Sequence, residues 1–575
     1  MAEKLCSWDN DPVETYPMYT IGNTTEVLPG ITRPLYADLA AWWDYHWCVG
    51  VAEEMGVRDQ IEIEPPPQFN QLGFLGGRWT VNVSFAMALT ALYQTGEGSA
   101  LLESFFEGDD IKSGVQADAE RAAAANAVIM GKWLHPKEIV AREDPRSRES
   151  YKAMRDKNLA VLSDKALVDL VDDNTVLMGS LFEGAFYVTV GGGDFAARLE
   201  AMLDEHLPGH PPEWGTTLTS ALLNVESSRP GEAIWDLSRV AKARESLAME
   251  VSLSSVDHIL ARLAAPPNED WKAFAEAYSE FMEEFGWRGQ RESDPSTLGW
   301  EEAPTFVITA IQADLASPDD RDPRDREAAA AAAREVVERE VLEKISAETR
   351  DDFETHLRAT QSLTREREAM KAVWARACNN HRWPVMELAR RLTGAGVLEE
   401  ADDVWFLRLT ELRAAGEGAL AADEAKAAIK SRKEEYERLW NFTLPDDVFT
   451  WPAELVPIAT EVESNQSEFT ALGVSPGVAT GKARVILSAT GVDDSHIEPG
   501  EILIAPVTDA PWTPLFIPAG AVVVEVGGLL SHAATVAREF GIPGVSGVKD
   551  ATKIIKTGQT VTVDGNKGTV TIHPD

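Results

Sequence analysis

The sequence has few cysteines and no long apolar run, and each of these two shortages excludes certain kinds of site or classes of protein. Only Cys6, Cys48 and Cys378 occur in 575 residues, and they stand far apart. This spacing excludes a disulfide framework and a clustered cysteine metal site, so we predict no metal centre and expect a reducing cytoplasm. No apolar stretch approaches the length of a membrane span, and residues 1–10 lack the apolar core of a signal peptide. We therefore expect no membrane partner.

Basic residues are also scarce. The chain carries 53 Lys and Arg against 94 Asp and Glu, a formal net charge of −41. A surface of this sign repels phosphate backbones and anionic lipids, so nucleic acid is not an expected partner. Residues 471–575 differ, with seven basic and ten acidic residues. Their near neutrality indicates a separate C-terminal module.

The hydrophobic periodicity changes along the chain. Apolar residues at three- and four-residue spacing predict a mainly α-helical domain over residues 1–440, with an aromatic stripe at residues 42–47. Residues 441–470 contain three prolines among acidic and small polar residues, which is typical of a linker. Residues 471–575 are rich in short β-branched runs and predict a small α/β domain. The sequence thus predicts a multi-domain protein.

One stretch of the predicted α/β domain combines the features of a reactive site. Residues 521–524 predict a buried strand, after which Gly527 and Gly528 permit a sharp turn. Ser531 stands where a helix N-cap is expected, so His532 falls in the first turn of the following helix. The helix dipole and the free N–H groups there favour a bound anion and a neutral, nucleophilic imidazole. The alternative is a histidine that simply packs beside a turn.

This stretch resembles the phosphohistidine, or mobile, domain of the phosphoenolpyruvate-utilising enzymes. Residues 527–545 read G-G-x-x-S-H-A-A-x-x-A-R-E-x-G-I-P-x-V. Further segments of that domain are matched at residues 473–481, 508–514 and 563–568. The resemblance implies a swivelling domain in which His532 is catalytic and carries a phosphoryl group. It also implies that this group is stabilised by Gly528, Ser531 and Arg538.

The helical region resembles the substrate-binding domain of rifampin phosphotransferase-like proteins. Four segments carry the resemblance in the family's order, at residues 25–35, 285–294, 367–371 and 396–407. The sequence departs from the family pattern at two positions. Trp287 stands where the family usually has histidine, and Arg33 is inserted between a threonine and a proline of the first segment.

This second resemblance implies further site residues. Arg288, Arg367 and Lys371 are expected to stabilise the phosphoryl group, and the last two share one helix face because they are four residues apart. A carboxylate is expected to orient or deprotonate the acceptor hydroxyl, with Glu292 as the candidate base. The residues assigned to acceptor binding are Trp287, Glu292 and Asp294. The alternative, a structural network of Arg and Glu side chains between helices, stays open.

Two modules of larger family members have no counterpart in the sequence. It contains no G-x-x-x-x-G-K-[ST] motif and no stretch resembling the ATP-grasp module. Only 43 residues follow His532, too few for the barrel domain that handles pyruvate. Phenylphosphate synthase-type proteins divide the work in this way, with the ATP-binding domain on another subunit.

We therefore expect one subunit of a two-component, ATP-dependent phosphotransferase, with ATP and Mg²⁺ bound by a separate ATP-grasp subunit. His532 would carry the β-phosphoryl group to a small, phenolic hydroxyl, giving the phosphorylated product, AMP and phosphate. An aromatic acceptor agrees with the composition, since 16 of 17 tryptophans precede residue 471. The alternatives are a phosphorelay protein similar to enzyme I of the sugar phosphotransferase system, a dikinase-type enzyme with a non-aromatic acceptor, and a binding protein whose histidine does not react.

Overall fold

Helices make up most of the chain before residue 440, and a small β-rich domain follows. The computed structural model describes residues 4–22, 24–93, 118–445, 449–458, 466–488, 497–529 and 531–574. The predicted fold class, a large mainly helical region followed by a small α/β domain, is confirmed. Among the described residues, no helix is long and apolar enough to cross a membrane.

The chain divides into two compact units that do not follow the order of the sequence. Unit 1 consists of Met1–Arg198, Ser293–Ser296 and Ala369–Ala459. Unit 2 consists of Leu199–Glu292, Thr297–Glu368 and Thr460–Asp575. The division into residues 1–440, 441–470 and 471–575 stays a prediction.

Unit 1 is built from helices and short strands. Two long helices, Asp164–His206 and Arg350–Asn379, are divided between the units. The other helices of unit 1 are Thr24–Val27, Pro34–Glu54, Val83–Ala91, Ala119–Leu134, Pro136–Arg155, Leu159–Val161, Arg382–Gly394, Ala401–Phe406, Leu409–Gly416 and Ala422–Leu439. A four-stranded antiparallel sheet has the order Leu72–Leu75, Arg78–Asn82, Met18–Thr20 and Phe449–Thr450. Two further strand pairs join Asp11–Pro12 to Gln68–Phe69 and Phe442–Thr443 to Val456–Pro457.

A buried carboxylate fixes the aromatic helix Pro34–Glu54 against the sheet of unit 1. Asp44 accepts hydrogen bonds from the three successive amides of residues 70–72, at 2.7–3.2 Å. It also accepts one from the Trp47 indole, at 3.1 Å. These four donors compensate the cost of burying the carboxylate. The orientation of the predicted aromatic stripe follows from this anchor.

The opposite side of the same helix packs closely on the helix Asp164–His206. A Cβ at Gly50 would come within 2.1 Å of Glu183 Oε1, and one at Gly179 would lie 2.6 Å from the Cβ of His46. Gly179 is therefore required for the close approach of the two helices, whereas the end of the Glu183 side chain could move away from a Cβ at Gly50.

Unit 2 combines a helical region with the α/β domain. Its helices are Trp214–Leu218, Arg229–Lys242, Glu245–Leu253, Val256–Ala264, Glu269–Phe285, Thr305–Ala316, Asp319–Arg321, Pro323–Lys344, Ala510–Trp512, Thr513–Phe516, His532–Glu539 and Ala551–Ile554. Its eight-stranded sheet has the order Leu472–Ser475, Gly544–Ser546, Ala521–Val524, Ile502–Ala505, Val478–Val485, Thr560–Asp564, Thr569–Ile572 and Glu468–Thr470. The four strands from Gly544–Ser546 to Val478–Val485 are mutually parallel.

The central strands are buried on both faces, as their continuous apolar sequence predicts. Val522 and Val524 face a core that also contains the helices Arg229–Lys242 and Thr305–Ala316. Val523 faces a second core on the other side of the sheet. The α/β domain and the helical region of unit 2 therefore share one hydrophobic core.

Candidate active site

His532 occupies the first position of the helix His532–Glu539, beyond the carboxyl end of the strand Ala521–Val524. Ser531 is the N-cap, and its Oγ accepts a hydrogen bond from the Ala534 amide at 3.2 Å. The predicted helix start is therefore confirmed. The carboxyl end of a parallel strand beside a helix N-terminus is where α/β proteins commonly bind anionic groups.

The glycine turn before the helix has little room for side chains. Gly527 has a φ of +151°, and a Cβ there would lie within 3.0 Å of the side chains of Ser531 and Ser546. The Ser546 hydroxyl donates to the Gly527 carbonyl at 2.6 Å, and the Ser531 amide donates to the Gly528 carbonyl at 3.1 Å. Among the described residues, no atom lies within 4 Å of a Cβ built at Gly528.

The His532 ring is buried and held by two neighbours. Only 3% of His532 is exposed. Its Nε2 lies 3.4 Å from Thr513 Oγ1, and the Phe516 ring packs edge-on with its centroid 5.9 Å away. The Thr513 hydroxyl is 2.8 Å from the carbonyls of both Ser227 and Ala510. Its single hydrogen is directed to one of these carbonyls, which leaves an oxygen lone pair for an N–H at Nε2.

Arg538 supports the turn from within the domain. Its Nη1 donates to the carbonyls of Leu529 at 2.7 Å and Val474 at 3.1 Å. Burial lowers the pKa of Arg538 to about 10, so the guanidinium stays charged at neutral pH. These contacts fix the loop that precedes His532. The phosphoryl-stabilising role of Arg538 stays a prediction.

The last residue of the same helix joins the α/β domain to the helical region. The Glu539 carboxylate, 2% exposed, faces the backbone amides of Leu222 and Leu223. Leu223 has a φ of +57°, so these amides belong to a turn in an uncommon backbone conformation. Burial raises the pKa of Glu539 to about 7. The helix that begins with His532 is thus anchored at its far end.

A second buried carboxyl group lies near Glu539. Glu327, on Pro323–Lys344, is close enough to Glu539 and to Glu232 for their charges to act on it. Burial, followed by the charges of Glu232 and Glu539, raises the pKa of Glu327 to about 8. The pKa of Glu232 is also raised by burial. Glu327 is therefore expected to keep its proton at neutral pH.

The predicted residues Trp287, Arg288 and Glu292 form one buried network in unit 2. Arg288, 1% exposed, donates from Nη1 to both Glu292 oxygens at 2.9 and 3.1 Å, and from Nη2 to Glu226 at 3.2 Å. Its guanidinium also lies 4.4 Å from the centroid of the Trp287 ring. Two carboxylates therefore neutralise Arg288 in this arrangement. This arrangement resembles the alternative that the sequence left open, a structural network of Arg and Glu side chains.

The other predicted residues are distributed over both units. Arg367, in unit 2, donates to Glu368 at 2.8 Å, and both charges act on Arg538. Lys371 and Asp294 belong to unit 1. Asp294 is buried and accepts hydrogen bonds from the amide and the hydroxyl of Ser296, at 2.9 and 2.6 Å.

The inserted Arg33 links two of the segments that carry the family resemblance. Its Nη1 donates to both oxygens of Asp402, at 2.9 and 2.8 Å. The guanidinium also lies 5.6 Å from the centroid of the Phe406 ring. The insertion therefore holds the segment of residues 25–35 to that of residues 396–407.

The sequence did not single out Thr513 or Glu539. Both lie inside quoted motifs, but their partners Ser227, Leu222 and Leu223 are about 280 to 320 residues away in the chain. Such contacts leave no local periodicity. Among the described residues, no three His, Cys, Asp or Glu side chains are grouped so as to hold a metal ion.

Two known protein families match parts of the chain. Residues 497–568 match the PEP-utilising enzyme, mobile domain, and residues 185–371 match the Rifampicin phosphotransferase fourth domain. The chain therefore contains a mobile domain of the PEP-utilising enzymes preceded by a rifampicin phosphotransferase-type domain.

Similar curated proteins share this region. The chain is 30% identical to the prodigiosin synthesizing transferase PigC of Serratia marcescens, over 54% of this chain and 35% of that protein. It is 28% identical to the rifampicin phosphotransferase of Bacillus subtilis, over 62% of this chain and 41% of the relative. It is 27% identical to the uncharacterized protein Mb2073c of Mycobacterium bovis, over 96% of this chain and 61% of that protein. The alignments thus span between about a third and three fifths of these relatives.

The carboxyl groups at the helix end predict a pH-dependent stability. The raised pKa of Glu327 means that the folded state binds a proton that the unfolded state releases above about pH 4.5. Stability should therefore fall as the pH rises from 5.5 to 8.5. Over this pH range, the unfolding temperature of Glu327→Gln should fall by roughly 2–4 °C less than that of the wild type. Thermal unfolding monitored by circular dichroism measures the difference.

Glu340→Gln is the control for this prediction. Glu340 lies on the same helix but is solvent-exposed and paired with Lys344 at 2.7 Å. Its variant should follow the wild-type pH profile. Parallel profiles for wild type and Glu327→Gln would show that the buried pair is not protonated.

Proposed function

We propose that this chain is a component of an ATP-dependent phosphotransferase in which His532 carries the phosphoryl group. The observation that supports this most strongly is the position of His532 at a capped helix N-terminus, inside a segment that matches the mobile domain of PEP-utilising enzymes. A phosphoryl group on the imidazole would meet the positive end of the helix dipole. We expect Ser531 and Gly528 to contact its oxygens.

The proposed reaction consists of three displacements. In the first, an imidazole nitrogen of His532 attacks the β-phosphorus of ATP, an N–P bond forms, and AMP leaves as its bond to the β-phosphorus breaks. In the second, water attacks the γ-phosphorus, the bridge between the two remaining phosphoryl groups breaks, and phosphate leaves, so that His532 keeps one phosphoryl group. In the third, the acceptor oxygen attacks the phosphorus on His532, the N–P bond breaks, and the hydroxyl proton passes to a base. One imidazole thus serves first as nucleophile and then as leaving group.

We further propose that ATP and Mg²⁺ are bound by a separate ATP-grasp subunit. His532 is almost fully buried against the helical region of unit 2, so loading by a partner requires the α/β domain to separate from that region. Swivelling of the α/β domain would provide the movement.

The acceptor is proposed to be a small phenol. A phenolic hydroxyl has a pKa of about 10, so it needs only a weak base and does not require the family's histidine at the position of Trp287. The sequence makes Glu292 the candidate base. In the structure, however, both oxygens of its carboxylate accept hydrogen bonds from Nη1 of Arg288. For Glu292 to act as the base, this ion pair must open.

Phosphorylation of His532 is the first test. The chain is incubated with its ATP-grasp partner and β-³²P-ATP, and acid-labile, alkali-stable label is measured on the protein. Wild type should be labelled, and His532→Ala should lose at least about 99% of the label because the nucleophile is gone. His573→Ala, which changes a histidine near the C-terminus, is the matched control and should be labelled normally. Equal label on His532→Ala and wild type would refute the assignment.

The acceptor class is tested by turnover. The reconstituted pair is offered phenol, 4-methylphenol, glycerol, pyruvate and a rifamycin, and AMP release is measured. Phenols should support turnover, since their hydroxyl is far more readily deprotonated than the aliphatic hydroxyls of glycerol. Turnover limited to pyruvate, glycerol or the rifamycin would contradict a phenolic acceptor. Transfer only to a small carrier protein would favour a phosphorelay.

A further inference from the structure

Ser546 ends the strand Gly544–Ser546, one residue beyond the segment of residues 527–545 that carries the family resemblance. It is fully buried, and in the sheet it stands opposite Val524, the last residue of the strand before the glycine turn. Its hydroxyl donates a hydrogen bond to the Gly527 carbonyl at 2.6 Å. A short hydrogen bond thus joins the neighbouring strand to the glycine turn.

The glycine turn lies directly against the helix cap. A Cβ built at Gly527 would fall 2.8 Å from Ser546 Oγ and 2.9 Å from Ser531 Oγ. The Gly527 backbone is therefore enclosed between the hydroxyl that holds its carbonyl and the N-cap of the helix His532–Glu539. A contact that fixes the Gly527 carbonyl also fixes the backbone next to the start of this helix.

The peptide unit between Gly527 and Gly528 has little intrinsic preference for one orientation. Neither residue has a Cβ, so the unit can rotate at small steric cost and needs a contact to hold it. Ser546 supplies a hydrogen bond to its carbonyl. The next carbonyl, that of Gly528, accepts a hydrogen bond from the Ser531 amide at 3.1 Å. The two bonds fix two successive peptide units of the turn.

The hydrogen bond from Ser546 determines the direction of the Gly528 amide. The peptide bond between Gly527 and Gly528 is trans, so its C=O and N–H groups point to opposite sides. Because the carbonyl is directed at the buried Ser546 hydroxyl, the Gly528 N–H is directed away from it. Gly528 is half-buried. Its amide is thus turned away from the sheet interior, in the segment that leads into His532.

We propose that Ser546 is a positioning residue for phosphoryl transfer, which directs the Gly528 N–H toward a phosphoryl group on His532. The inference rests on the proposed function for the presence of that group, whereas its evidence is the geometry of the turn. An N–H group that is fixed before the reaction stabilises negative charge without a cost of reorganisation. Ser546 acts only through the Gly527–Gly528 peptide unit and does not itself contact the phosphoryl group.

Ser546→Ala tests this role, because it removes the hydroxyl and leaves the peptide unit free to rotate. With β-³²P-ATP and the ATP-grasp partner, we expect the maximal rate of His532 labelling to fall about tenfold, less than is typical when an oxyanion donor is removed outright. The ATP concentration that gives half of this rate should not change, since the partner binds ATP. A wild-type labelling rate in Ser546→Ala would overturn the proposal.

Ser238→Ala is the matched control. Ser238 is also fully buried, and its hydroxyl donates to the Trp235 carbonyl at 2.6 Å, the same distance as in the bond from Ser546. The control therefore removes an equivalent hydrogen bond from the helical region of unit 2. It should be labelled at the wild-type rate. An equal fall in Ser238→Ala and Ser546→Ala would show a general loss of stability and would contradict a role specific to the turn.

The amide signal of Gly528 provides a second measurement, which does not depend on the folding of a variant. In wild type with ¹⁵N-labelled glycine, phosphorylation of His532 should move the Gly528 amide proton downfield, as a charge-assisted hydrogen bond requires. The signal of Gly418, in unit 1, should stay in place. In folded Ser546→Ala the shift of the Gly528 signal should be smaller. A Gly528 signal that does not respond to phosphorylation in wild type would contradict the proposal.

The outcomes separate this inference from the proposed function. Wild type that takes up no label on His532 would reject the proposed function, and the role of Ser546 with it. Wild type that is labelled, together with Ser546→Ala labelled at the same rate, would reject only the role of Ser546 and leave His532 as the phosphoryl carrier.

Discussion

The candidate active site depends on the fixation of one eight-residue helix at both ends. Its first residue, His532, is presented by a glycine turn and a serine cap, and its last residue, Glu539, is buried against the amides of Leu222 and Leu223. A short helix has little stability of its own, so its geometry comes from these end contacts and from packing. The same helix thus positions His532, the proposed reactive group, and contributes to the contact between the α/β domain and the helical region of unit 2.

This contact combines apolar packing with groups that oppose it. The shared hydrophobic core favours association, and Thr513 adds a hydrogen bond to Ser227. Burial of Glu232, Glu327 and Glu539 raises the pKa of each carboxyl group, so each disfavours the contact once it is ionised. A contact with opposing terms of this kind is compatible with the swivelling that we propose for the α/β domain.

Sequence reasoning recovered the features that are local in the chain. The strand, glycine turn, N-cap and helix around His532 could be predicted because each depends on residues within about ten positions. The change from helical to β-rich character was also visible in the sequence as a change in the spacing of apolar residues. Thr513 and Glu539 could not be assigned in this way, because their contacts join distant segments. In the Arg288 network, Glu226 could not be assigned for the same reason, since it lies 62 positions away. The pairing of Arg33 with Asp402 likewise required the fold, since 369 positions separate the two residues.

The central claim is that His532 carries a phosphoryl group to an acceptor bound by the same chain. Its most direct test is a single-turnover chase: the ³²P-labelled chain is freed of nucleotide and partner, then mixed with phenol. The account predicts that label leaves the protein and appears as phenyl phosphate, at a rate no slower than steady-state turnover. Label that stays on the protein with phenol, and leaves only when AMP, phosphate and the partner are restored, would contradict it.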